Sequence, residues 1–83
     1  MYQTRVIQIT GPADRMTAQS IEDFFHTKIK FTLVDRQEWL ETDGQLTVVF
    51  EFTSIEAGEQ ALYNIRYVPD YCAAGDETPG SNL

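Results

Sequence analysis

One cysteine and one histidine are all the chain has of the residues that most often build reactive or metal-holding sites. Cys72 by itself closes no internal disulfide. His26, with no second imidazole and one thiol in the chain, is too little for a zinc site. No apolar run approaches the roughly 18–20 residues that cross a bilayer, so no membrane association is expected. The opening residues show no basic stretch followed by an apolar segment, and an intracellular, cytoplasmic protein is expected. Gly11 stands alone, without the repeated glycines of a phosphate-cradling loop. Cys72 has no neighbouring histidine to activate it, and Asp70, Cys72, Asp76 and Glu77 do not have a metal-binding spacing. The expectation is a non-enzymatic protein without cofactor or metal.

Basic residues are scarce as well. Six Lys and Arg face 13 Asp and Glu, a net charge of −7. The imbalance is concentrated: residues 1–34 hold four bases against three acids, a net +1, and residues 35–83 hold two bases against ten acids, a net −8. Such a field repels phosphate backbones and favours either plain solubility or a cationic partner.

What is present is a pattern for a single small domain, with residues 1–72 forming the fold and 73–83 (AAGDETPGSNL) a flexible polar tail. Residues 4–10 (TRVIQIT) read as a strand with Arg5, Ile7 and Ile9 on one face and Val6, Gln8 and Thr10 on the other. Thr17 is the expected cap of a helix that ends near Lys28 and carries Ala18, Ile21, Phe24 and Phe25 at helical spacing. Residues 29–34 (IKFTLV) alternate, with Ile29, Phe31 and Leu33 inward and Lys30, Thr32 and Val34 outward. Residues 35–44 break that alternation and read as a long charged connection carrying Trp39 and ending in an Asp43-Gly44 turn. Residues 45–52 (QLTVVFEF) are the clearest strand, with Leu46, Val48, Phe50 and Phe52 inward and Thr47, Val49 and Glu51 outward. Thr53 and Glu56 have capping-box spacing ahead of a second helix through Ile65. A short last strand is placed within residues 66–72, restricted to an edge by Pro69.

Strand, helix, strand, strand, helix and a short or absent last strand predict an α+β, ferredoxin-like βαββαβ sandwich, with two helices on one face of an antiparallel sheet. In this scaffold the chain resembles an RNA-recognition-motif domain. Thr17, Ile21, Phe24 and Phe25 stand where that family's first helix carries its threonine cap and apolar face. Phe50, Glu51 and Phe52, followed by Gly58, Ala61, Leu62 and Ile65, are similar to its third strand and second helix. The likeness covers about residues 5–65. It implies single-stranded RNA or DNA binding on the helix-free sheet face, through aromatic rings that fall by position on Gln8, Thr47 and Val49, none of which is aromatic. Each stacked base contributes roughly 1–3 kcal/mol, and the family's basic signature residue corresponds to Gln45. Nucleic acid is therefore disfavoured.

Two explanations of the bare face stay open: an ordinary solvated sheet, or a protein interface. Trp39 likewise either packs back at the core edge with Leu40 or serves as an interaction hot spot rimmed by Glu38, Glu41 and Asp43. His26 reads as a solvated ion pair with Glu22 or Asp23. The expected function is a small acidic protein-binding module, docking a basic partner or a second copy through Gln8, Lys30, Thr32, Val34, Trp39, Thr47, Val49, Tyr67 and Tyr71. The alternatives are nucleic-acid binding through Phe31, Trp39 or the two tyrosines, and acidic mimicry of nucleic acid that blocks a basic protein.

Overall fold

The structure, a computed structural model, describes residues 5–66, 68 and 71–75. Its elements run β1 (Val6–Pro12), α1 (Ala18–Lys28), β2 (Leu33–Leu40), β3 (Gln45–Phe52), α2 (Ile55–Ile65) and β4 (Cys72–Gly75). The strands form one open antiparallel sheet in the order β2-β3-β1-β4, and the domain is of the α+β class. No helix among the described residues is long and apolar enough to cross a membrane.

One core lies between the sheet and both helices. Ile7 and Ile9 of β1 and Val48, Phe50 and Phe52 of β3 meet Ala18, Ile21 and Phe25 of α1 and Ala57, Ala61 and Ile65 of α2. The strand parity read from the sequence is thereby met: the Phe50 and Phe52 rings face the helices. Phe25 organises the aromatic part, with ring centroids 5.4 Å from Phe50, 6.0 Å from Phe52 and 6.1 Å from Phe31, all steeply inclined. Such edge-to-face pairs add to the area term of burial.

The first helix begins as its sequence predicts. Thr17 Oγ1 accepts the Ser20 N–H (3.0 Å) and Ser20 Oγ accepts the Thr17 N–H (2.9 Å), a reciprocal cap. The second helix is capped one residue later than expected. The Thr53 N–H instead bonds the Thr32 carbonyl ahead of β2 (3.1 Å), and the Ser54 Oγ accepts the Ala57 N–H (3.1 Å).

The largest correction concerns β2. Residues 29–32 are not strand: Ile29 closes α1 by donating its N–H to the Phe25 carbonyl (2.9 Å), and Phe31 packs into the aromatic core. The strand instead takes in Leu33–Leu40, most of what reads as a connection. Two features hid it. A β-bulge at Val34 shifts the alternation by one residue. Beyond it β2 is an edge strand exposed on both faces, so burial imposes no hydrophobic period. The hairpin closes through Glu41 and Gln45 (N–H to carbonyl, 2.7 Å), with Gly44 at φ +82° in the expected Asp43-Gly44 turn.

The last strand is short, as expected, but later: β4 starts at Cys72 and takes in Ala73–Gly75, which the sequence assigns to the tail. Alanine and glycine have weak strand preference, and pairing with β1 decides the matter. Residues 76–83 lie outside the described residues.

Candidate functional site

Register fixes what the helix-free face carries. Thr10 lies beside Thr47, Gln8 beside Val49 and Val6 beside Glu51 across β1 and β3. On β2, Trp39, Gln37 and Asp35 stand beside Thr47, Val49 and Glu51 in turn. On β4, Cys72 stands beside Thr10. The face thus has three rows: Cys72, Thr10, Thr47 and Trp39; then Gln8, Val49 and Gln37; then Val6, Glu51 and Asp35.

Of the residues expected here, Gln8, Thr47, Val49 and Trp39 are brought together. Lys30 and Thr32 are not strand residues; they lie in the connection ahead of β2. Val34 is the extra residue of the bulge. Tyr71 is half-buried against the core just before β4, and Tyr67 lies outside the described residues. Trp39 is on a strand, not a loop.

The shift in β2 changes the chemistry of the face. With Lys30, Thr32 and Val34 outward it reads as nearly uncharged. With Asp35, Gln37 and Trp39 it is acidic, since Asp35 joins Glu51 and Glu41 stands at the rim. None of the described strand residues lining it is basic. Arg36, the one base of β2, points to the opposite face, where its Nη1 donates to Glu22 Oε1 (2.8 Å) and Gln19 Oε1 (3.2 Å) of α1. Of the expected acidic rim, Glu38 shares that opposite face and Asp43 is spent on the turn, where its Oδ1 accepts the Gln45 N–H (3.2 Å).

A polar network orders the Trp39 end. The Trp39 indole Nε1–H donates to Glu41 Oε2 (2.6 Å), and the Thr47 hydroxyl donates to the same oxygen (2.8 Å) while lying 3.3 Å from the Thr10 hydroxyl. Thr47 is 1% exposed although it belongs to the open face, whereas Trp39 is 43% exposed. Next to it, Asp35 Oδ2 accepts from Gln37 Nε2 (2.9 Å). These bonds fix the side chains of this end of the face in one arrangement.

Asp35 and Gln37 were not singled out by sequence reasoning, and Glu41 was expected only as part of the rim of a Trp39 loop. A signal existed: with Trp39 they occupy every second position, the period of a strand. His26 lies where it was expected, 3.4 Å from Glu22, and additionally stacks on Phe31 with ring centroids 4.3 Å apart. No group of three or more potential metal ligands occurs among the described residues.

No protein-family model matches the chain, and no curated protein matches it. The resemblance to RNA-recognition-motif domains therefore stands on its scaffold positions alone.

Proposed function

We propose that the protein is a non-enzymatic binding module whose open sheet face, centred on Trp39, docks a basic segment of a protein partner. The observation that carries this reading is an indole fixed by Glu41, partly in solvent, on a sheet face whose charged strand residues are all acidic. A lysine or arginine approaching that ring gains a cation–π contact and the field of Asp35, Glu41 and Glu51 together. The ferredoxin-like sandwich is the proposed frame. Its support is the βαββαβ element order and the placement of β1 and β3 at the centre of the sheet. In that frame one sheet face belongs to the helices and the other is left for a ligand.

Base stacking is the weaker reading of the same surface. Thr47 is buried, Val49 is aliphatic and Gln8 is polar, so Trp39 is the only ring that the described strands present there. Acidic mimicry of nucleic acid uses the same carboxylates and amounts to docking on a basic groove.

The sole tryptophan of the chain reports on the site directly. Titrated with an arginine- and lysine-rich peptide, its fluorescence is expected to change saturably, with affinity falling as salt rises. A single-stranded oligonucleotide pool is expected to leave it unchanged. Binding of the oligonucleotides but not of the peptide would overturn the proposal. Displacement of DNA or RNA from a basic protein, without binding either, would identify the mimic.

A further inference from the structure

β2 is the long free edge of the sheet, and every residue from Val34 to Leu40 is exposed. The Glu41 N–H bond to the Gln45 carbonyl sets the phase of its ladder. The amides and carbonyls of Gln37 and Trp39 point to β3, and those of Arg36, Glu38 and Leu40 point away from the sheet. The Arg36 N–H confirms the phase, since it is held by Asp35 Oδ1 (2.9 Å) and not by β3. An open edge of this length is a template for another strand.

We propose that the occupant is a second copy of this chain, joined β2 to β2 in antiparallel fashion about a two-fold axis at Gln37. Charge selects that register. A continuous sheet keeps the helix faces together, so the axis must pass through a residue and set residues of like face opposite each other. An axis at Asp35, Arg36 or Glu38 sets that charge against its own copy. An axis at Trp39 leaves Arg36 beyond the facing residues and sets Gln37 against Glu41. Only the Gln37 axis places Arg36 opposite Glu38 of the second copy, twice by symmetry. These are also the residues whose main-chain groups point outward, so each pair exchanges two backbone hydrogen bonds.

The side chains are free for it. Glu38 has no hydrogen-bond or ion-pair partner among the described residues. Both Arg36 bonds to Gln19 and Glu22 leave from Nη1 alone. At each end, Leu40 (65% exposed) falls beside the bulge at Val34 (57% exposed) of the second copy, covering two of the exposed large apolar side chains. Asp35 guards the edge: pairing exchanges its bond to the Arg36 N–H for the Glu38 carbonyl of the second copy.

This inference does not rest on the open-face reading, and salt separates the two. Two copies of net charge −7 repel at long range, so self-pairing tightens as salt rises, whereas docking of a basic segment weakens.

Sedimentation equilibrium tests it on the whole chain. A monomer–dimer equilibrium is expected below about 1 mM, tighter in high salt and tighter again in Asp35→Ala. Glu38→Arg or Arg36→Glu sets like charges opposite each other and is expected to weaken the dimer by at least about 100-fold. An equimolar mixture of the two variants restores the opposite-charge pairs and is expected to form a heterodimer. Glu38→Pro removes an outward amide while sparing the β3 ladder, and is expected to be monomeric with an unchanged circular dichroism spectrum. A chain that stays monomeric to about 1 mM in high salt, or a dimer that survives these variants but is lost in Val49→Lys on the open face, would overturn the proposal.

Discussion

The Thr47 hydroxyl donates to Glu41 Oε2 at 2.8 Å, tying the middle of the sheet to the tip of the β2–β3 hairpin. Because the same oxygen accepts the Trp39 indole N–H, one carboxylate fixes both a buried hydroxyl and the exposed ring beside it. Fold and candidate site are therefore coupled at one atom.

That coupling is open to test. Thr47→Val keeps the shape and removes the donor, and is expected to cost about 1 kcal/mol in urea unfolding. Glu41→Ala releases both donors and is expected to lower the fluorescence anisotropy of Trp39, whereas Glu41→Gln retains an acceptor and preserves it. Unchanged anisotropy in Glu41→Ala would show that the indole is held by something else.

The position of the second helix cap gives a sharper contrast. Ser54→Ala is expected to destabilise by about 1 kcal/mol, because the Ala57 N–H loses its partner. Thr53→Ala is expected to fall within about 0.5 kcal/mol of the parent. Equal losses in denaturant melts would return the cap to Thr53.

Phe25 is fully buried at the centre of the aromatic cluster. Phe25→Ala is expected to cost about 3–5 kcal/mol, which for a domain with roughly 5–15 kcal/mol of total stability leaves a large unfolded fraction on heating. Phe25→Leu is expected to lose less than half as much. The midpoint of thermal unfolding checks both.

Gly44 sits at φ +82°, with open space where a side chain would project. Its replacement is costly through the backbone, not through a clash. Gly44→Ala is expected to lose roughly 1 kcal/mol and Gly44→Asn less, since asparagine tolerates the left-handed region. Hydrogen exchange at the Gly44 and Gln45 amides is expected to quicken in the alanine variant first.

Where burial is one-sided, local sequence carried the answer. Residues 45–52 alternate because one face lies under the helices, so strand limits and parity are both legible, and with them the core residues Val48, Phe50 and Phe52. The α1 cap is equally local, since Thr17 and Ser20 satisfy each other within one turn. The Asp43-Gly44 turn follows from the one residue type that adopts positive φ without penalty.

The tertiary structure decided what no local period encodes. β2 is exposed on both faces and interrupted by a bulge, so only pairing with β3 makes Leu33–Leu40 a strand. Past Cys72, β4 is alanine and glycine, and only the open edge of β1 orders it. The chemistry of the open face turned on the first of these decisions. Lys30 and Thr32 drop out because the strand starts only at Leu33, and the one-residue shift at Val34 puts Asp35, Gln37 and Trp39 on the face, because side chains alternate across a strand and any slip in register changes which of them share a face.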